Sequence, residues 1–273
     1  MKKLALSSII TFMFSTLAAA GHEVWIEPVE WQVQSQSDIK ANIYNGEHFE
    51  GLALIWNDQA VVRAEAWNDG RVSKISGRLG DRPALATSLH KDGLIALLYQ
   101  SVHQTVDYES YESFASFVDE KGHGWVLERH HQRKLSSASI KEAYARFAKS
   151  LIRSGSGYGE DAFRGMELEL VALTNPYVTP LTKKMQVRLY YKHAVLPQNQ
   201  VTVFERSQDG SVSTTILQTD HNGEASFLVE QGATYLVDAV MLREPARSLV
   251  IDSRGAVWES LWASLTFKLP EGQ

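Results

Sequence analysis

The feature that most constrains the fold of this chain is a repeated alternation of short β-forming segments with tight-turn sequences. Segments rich in Val, Ile, Trp and Tyr cover residues 24–33, 38–44, 52–56 and 59–67, and Asn-Gly, Asn-Asp or Asn-Asp-Gly sequences follow most of them. Aromatic and β-branched residues favour strands, while Asn-Gly and related sequences suit two-residue hairpin turns. The N-terminal part is therefore predicted to be a β domain built from hairpins.

A second series of strand-forming segments begins after residue 165. About seven such segments fall within roughly 100 residues, which is typical of an immunoglobulin-like sandwich. Between the two series lies a Gly- and Ser-rich stretch at 154–164, and this composition favours a linker. The chain is thus predicted to be mainly β with two short helices: an N-terminal β domain with a helical insert at 22–153, and a C-terminal β-sandwich at 165–273.

Two helices are predicted inside the N-terminal domain. The first covers 111–121 and ends before Gly122, with Phe114, Phe117 and Val118 on one face. The second begins at Ser139, which forms a capping-box pattern with Glu142. Its apolar residues recur at helical spacing and are predicted to pack on a sheet: Ile140, Tyr144, Phe147, Ala148 and Leu151.

The first 21 residues have the pattern of a secretory signal peptide. Lys2 and Lys3 precede a mostly apolar run, and Ala-Ala-Ala-Gly closes the segment. Cleavage before His22 and cleavage before Gly21 both satisfy the preference for small residues. No later apolar run reaches the about 20 residues that a membrane-spanning helix needs. The mature protein is expected to be periplasmic, without a membrane span.

Charge and residue content exclude several functional classes. Lys and Arg number 27 against 32 Asp and Glu, a net charge of −5, which argues against nucleic-acid binding. Without cysteine, the chain has no disulfide, thiolate metal site or cysteine nucleophile. Motifs for phosphate binding, for zinc peptidases and for a serine nucleophile elbow are missing as well. We therefore predict no enzymatic activity, and any metal must be held by nitrogen and oxygen ligands.

Among the histidines, His22 and His48 are the candidate metal ligands. If cleavage frees the amino group of His22, its amine and imidazole nitrogens can chelate one ion, and such nitrogens suit copper, nickel, cobalt or zinc. His48 lies at the end of a predicted strand, where its side chain can face a site. Two other features are predicted to be exposed and inert: His130 and His131, pointing to opposite sides of an extended segment, and the pair Glu167 and Glu169.

The chain resembles a bacterial nickel-uptake-associated family, the nickel uptake substrate-specific region, otherwise a domain of unknown function. The resemblance is carried by segments in matching order along the mature chain: 22–28 (HEVWIEP), 111–114 (YESF), 119–122 (DEKG), 141–151 (KEAYARFAKSL), 165–171 (GMELELV), 175–176 (NP), 219–223 (TDHNG) and 258–267 (WESLWASLTF). It implies a periplasmic protein that handles a transition metal, with His22 as a ligand and a prealbumin-like C-terminal sandwich.

The leading hypothesis is a non-enzymatic protein that binds a divalent transition metal through His22 and His48. Nickel or cobalt is implied by the resemblance, with copper or zinc also open, and a membrane metal transporter is the expected partner. The alternative is a metal-free module that binds an envelope partner. A copper-dependent oxidative enzyme built on the N-terminal histidine is a third, lower-ranked possibility.

Overall fold

The computed structural model describes residues 22–88, 91–178, 180 and 182–271, so the predicted signal peptide lies outside the described residues. Its elements, in chain order, are β1 (Glu23–Pro28), β2 (Gln32–Val33), β3 (Ile39–Glu47), β4 (Glu50–Leu54), β5 (Val61–Asn68), β6 (Arg71–Lys74), β7 (Leu85–Thr87), β8 (Gly93–Ser101), β9 (Gln104–Tyr108), α1 (Tyr111–Glu120), α2 (Trp125–Gln132), β10 (Ile140–Ser154), β11 (Leu168–Ala172), β12 (Lys184–Tyr191), β13 (Ala194–Val195), β14 (Gln200–Arg206), β15 (Val212–Gln218), β16 (Glu224–Leu228), β17 (Thr234–Arg243), α3 (Arg247–Asp252) and β18 (Trp258–Lys268).

The strands form three sheets. The first has the order β1-β3-β4, with β7 also paired to β3. The second has ten strands in the order β15-β14-β17-β18-β10-β8-β5-β6, with β2 and β9 paired to β10. The third has the order β11-β12-β13, with β16 paired to β12. The mainly β, sandwich-like fold class is therefore confirmed.

The ten-stranded sheet is the middle layer of the molecule. One of its faces packs on the third sheet through a core that includes Phe147, Leu168 and Phe227. The other face packs on the first sheet through residues such as Ile26 and Ile95. Because both faces are covered, its central strands are buried on both sides and carry apolar residues at consecutive positions.

Strands from both sides of the predicted 154–164 linker belong to this one sheet. β10 precedes that segment and β18 follows it, and the two pair in parallel from Glu142 opposite Trp258 to Ser150 opposite Thr266. The division into domains at 22–153 and 165–273 stays a prediction.

The second predicted helix is wrong, because Ile140–Ser154 is strand β10. Phe147 and Leu151 face the core against the third sheet, and Ala148 and Ile152 face the first sheet. A strand buried on both faces has apolar residues at spacings that also match a helical stripe, so the periodicity could not distinguish the two.

The first predicted helix is confirmed as α1. Ser110 caps it, accepting a hydrogen bond from the backbone N–H of Ser113, while Phe114, Phe117 and Val118 are buried. Gly122 follows the helix with a φ of +75°, a conformation that suits glycine at a helix end. Helices α1 and α2 cover one end of the ten-stranded sheet, near Trp258 and Trp262.

The prediction of an extended segment around His130 and His131 is also wrong, because both residues lie in α2. The His130 ring is buried and accepts a hydrogen bond at Nδ1 from Trp258 Nε1, 3.0 Å away. His130 therefore provides the hydrogen-bond acceptor for the buried indole N–H of Trp258. In the part of the chain that is described, no helix is long and apolar enough to cross a membrane.

Candidate functional site

His22 directly precedes β1 and lies opposite Glu47 at the end of β3. Glu23 pairs with Gly46 in the antiparallel register of these strands, so the next pair outward is His22 with Glu47. The His22 Nε2 atom is 3.5 Å from Glu47 Oε1, and both side chains are partly exposed. An imidazole and a carboxylate are thus held together at one end of the first sheet.

The same sheet end carries the turn between β3 and β4. Glu47 pairs with Glu50, which leaves His48 and Phe49 as a two-residue turn. Their φ angles are +50° and +65°, the type I′ geometry in which Asn-Gly is favoured. A bulky residue in the left-handed region costs about 1–2 kcal/mol, and such local strain clusters at functional sites.

Aromatic contacts hold this unusual turn in place. The buried Phe49 ring meets Trp25 edge-on, with ring centroids 6.0 Å apart, and the Arg206 guanidinium lies 4.5 Å from the Phe49 ring centre. The His48 ring packs against Phe204 at 5.3 Å. The exposed His48 imidazole is therefore held against Phe204 of the middle sheet by this contact.

His22 and His48, predicted separately, line one cleft. This cleft has a volume of about 610 Å³, and the polar side chains that line it include His22, Asn45, Glu47, His48 and Glu50. Alternation along the paired strands places His22, Glu47 and Glu50 on one sheet face. Across the described residues, no three His, Asp or Glu side chains converge closely enough to hold a metal ion. His22, Glu47 and His48 therefore do not form a three-ligand metal site by themselves.

A buried ammonium group lies behind the same turn. Lys121, at the end of α1, donates to Glu23 Oε1 at 2.9 Å, and its Nζ is 3.0 Å from Glu120 Oε1 and 3.9 Å from Asp238 Oδ2. Burial would lower the pKa of Lys121, but these three carboxylates outweigh burial and raise it. A second cleft, of about 300 Å³, is lined by Lys121 and Glu23 and shares Glu47 and His48 with the first.

The buried polar band continues from this lysine across the ten-stranded sheet. Burial raises the pKa of Asp238 to about 7, against the opposing effect of Lys121. Burial likewise raises the pKa of Glu142 to about 7. Arg146 stacks at 3.8 Å on Trp262, and within the described chain its Nε and Nη1 atoms have no hydrogen-bond partner. These shifted groups belong to the packing between α1, the first sheet and the middle sheet.

The prediction that Glu167 and Glu169 are both solvated is wrong. Glu169 is fully buried and paired with Lys149, while Glu167 pairs with Arg243 at 2.6 Å. Glu23, Glu47 and Lys121 were not singled out from the sequence. No sequence signal pointed to Glu47, because its position beside His22 depends on the register between β1 and β3.

Comparison with known proteins gives little beyond a family. No curated protein matches the chain. A tetra-tandem repeat from the extending region of a large adhesion protein is 11% identical over 90% of this chain and 49% of that chain, with a TM-score of 0.21. A DUF4785 family protein from Legionella pneumophila subsp. pneumophila str. Philadelphia 1 is 11% identical over 78% and 50%, with a TM-score of 0.23. The chain thus spans about half the length of each of these proteins, and TM-scores this low do not indicate a shared overall fold.

The family model that matches the chain is described only as a domain of unknown function, DUF4198, and the match covers residues 19–243. It includes His22, the β3–β4 turn and most of the polar band. The match itself carries no link to nickel uptake. On this match, which covers well over half of its length, the chain belongs to the DUF4198 family.

Proposed function

We propose that the mature protein binds a divalent transition metal ion in the periplasm, at the cleft formed by His22, Glu47 and His48. The observation that carries this proposal is the cross-strand placement of His22 beside Glu47, 3.5 Å apart, in the cleft that His48 also lines. Imidazole nitrogen with carboxylate oxygen suits nickel, cobalt, copper or zinc.

The ligand set is completed by the N-terminus of the mature chain. Signal-peptide cleavage before His22 would free its amino nitrogen, giving an amine and an imidazole on one residue. The side chains of Glu47 and His48 then supply further donors from the neighbouring hairpin. Cleavage before Gly21 would instead leave the His22 nitrogen in a peptide bond and weaken this chelate.

Nickel or cobalt is the metal that the sequence resemblance favours, and delivery to a membrane metal transporter is the role that it implies. The protein itself needs no catalytic step for this role: it captures the ion and releases it. The exposed position of the cleft supports exchange with a partner.

Isothermal titration of the mature protein with nickel, cobalt, copper and zinc tests the proposal. We expect one tight site, lost in His22→Ala and in a variant with one added N-terminal residue. Glu47→Gln and His48→Ala are each expected to weaken binding about 10–100-fold, the range typical of groups that support a metal site.

His221→Ala is the matched control, because His221 is an exposed histidine in the turn before β16. It should bind metal like the wild type. Metal affinity that is unchanged in both the His22→Ala and extended-terminus proteins would refute the proposed site.

A further inference from the structure

A second charged cluster, separate from the metal cleft, lies on the opposite face of β10. Lys149, Asp161 and Glu169 all have side chains that are 0% exposed. Phe147 and Leu151 flank Lys149 on the same strand face and belong to the apolar core. Three ionisable side chains are thus buried together beside the apolar core.

The Lys149 ammonium lies within hydrogen-bonding distance of both carboxylates. The Lys149 Nζ atom is 3.2 Å from Asp161 Oδ1, 3.1 Å from Asp161 Oδ2 and 2.6 Å from Glu169 Oε1. We propose that Lys149 and Asp161 become joined by an intramolecular amide bond between their side chains, with Glu169 as the proton carrier.

The surroundings of Asp161 suit it to act as the electrophile. Its Oδ1 accepts from the backbone N–H of Ala162 at 2.8 Å, and its Oδ2 accepts from the backbone N–H of Ala172 at 2.9 Å. Fixed N–H donors on both oxygens polarise the carboxyl group and stabilise the negative charge that develops on oxygen when an amine attacks.

Glu169 is held where it can move protons. Its carboxylate accepts hydrogen bonds from the backbone N–H groups of Arg164 and Met166, at 2.9–3.0 Å. These bonds fix the carboxylate against Lys149, within the reach that general acid–base catalysis requires. Glu169 is therefore positioned to take a proton from the Lys149 amine.

The reaction balances without any oxidant or outside reagent. The Lys149 ammonium gives one proton to Glu169, and the neutral amine attacks Cγ of Asp161 to form a C–N bond. Glu169 passes that proton, and then a second proton from the nitrogen, to one Asp161 oxygen. The C–O bond breaks, and the oxygen leaves as water. Ammonium and carboxylate are thereby converted to an amide and one water molecule, and Glu169 ends as a carboxylate.

The bond would fasten the Gly- and Ser-rich segment to the centre of the molecule. It would close the chain from β10 to Asp161, just before β11 of the third sheet. Lys121, also buried in the described part of the chain, offers a contrast. It donates to Glu23 Oε1 at 2.9 Å, but Oε2 of that carboxylate has no hydrogen-bond partner there, unlike the two oxygens of Asp161. Lys121 is therefore the matched control for Lys149.

The intact mass of the folded, exported protein tests the proposal, with its N-terminus read in the same spectrum. We expect a mass one water lower than the sequence requires. Trypsin should leave Lys149 uncut and release residues 147–153 joined to residues 154–164. Lys149→Arg should have the full mass, whereas Lys121→Arg should retain the loss of water.

Two further variants probe the chemistry. Asp161→Asn should lose ammonia in place of water, because the amide nitrogen then leaves. Glu169→Gln, checked for folding by circular dichroism, should keep the full mass. A folded wild-type protein at full mass, with trypsin cleaving after Lys149, would overturn the proposal whatever the variants do. Because the metal titration does not involve these residues, the two proposals fail independently.

Discussion

At the scale of single residues, Glu142 illustrates what burial does to a charge in this protein. Its side chain accepts hydrogen bonds from the Tyr108 hydroxyl, at 2.6 Å, and from the Ser260 hydroxyl. Burial outweighs these bonds and raises the pKa of Glu142 to about 7. In the sequence this residue matched a helix-capping position, whereas in the fold it lies in the middle sheet.

The pH dependence of stability follows from this shift. The unfolded carboxyl has a pKa of about 4.3, so between about pH 4.3 and 7 the folded state holds a proton that the unfolded state has released. The stability that Glu142 contributes is therefore complete below about pH 4.3 and is lost as the pH rises through 7. Glutamine carries no such proton. We therefore expect the free energy of unfolding of Glu142→Gln, relative to that of the wild type, to rise by up to about 3 kcal/mol from pH 4 to pH 8.

Urea unfolding of both proteins at the two pH values measures this difference. Glu27→Gln is a suitable control, because Glu27 is only half-buried and pairs with Arg206 near the surface. If the stability difference between Glu142→Gln and wild type were the same at both pH values, Glu142 would not be protonated in the fold.

At the scale of elements, the β3–β4 hairpin combines strain with aromatic packing. The φ of Phe49 is +65°, and only 8% of the residue is exposed. Removal of a buried Phe ring costs about 3–5 kcal/mol, whereas relief of a left-handed residue returns about 1–2 kcal/mol. Ring burial therefore outweighs strain, which explains why the turn keeps a Phe where glycine would fit the backbone better.

Two substitutions at Phe49 separate the cost of losing the ring from the gain of relieving the backbone strain. Both Phe49→Ala and Phe49→Gly lose the ring, but only glycine also relieves the positive φ. We expect the glycine variant to be more stable than the alanine variant by about 1 kcal/mol, in denaturant unfolding, although glycine within regular strands is usually the less stable of the two. The opposite order would mean that this turn is not strained.

At the scale of the whole molecule, the ten-stranded sheet links the two ends of the chain. β10 pairs with β18, and the Ser264 and Thr266 hydroxyls of β18 donate to the backbone carbonyls of Val24 and Ile26, both at 2.6 Å. Without β18, the central strand would have an exposed and largely apolar edge, which is a typical aggregation site.

This arrangement predicts the behaviour of an isolated N-terminal part. We expect residues 22–153, produced alone, to show no cooperative thermal unfolding and to be degraded rapidly by proteases, whereas residues 22–273 unfold cooperatively. Circular dichroism and limited proteolysis compare the two. A stable, cooperatively folding 22–153 fragment would instead support the domain division predicted from the sequence.

Local sequence patterns were sufficient for the features that depend on near neighbours. The β-rich composition, the turn after Asn68 and helix α1 with its Gly122 stop all depend on residues a few positions apart. The Asn45-Gly46 turn signal is wrong, because both residues lie inside β3 and the turn falls at His48 and Phe49. The predicted ligands His22 and His48 do share a cleft. The strand identity of β10 could not be predicted, because an apolar stripe fits both a helix and a strand that is buried on both faces.

Contacts between distant residues were decided only by tertiary structure. His22 meets Glu47 because β1 and β3 pair in one register, and a shift of one residue would turn every side chain to the other face. Lys149 meets Asp161 and Glu169 because the segment after β10 folds back against it. Patterns along a chain specify which side chains alternate, but the free energy of burying three sheets against one another selects which of those side chains meet.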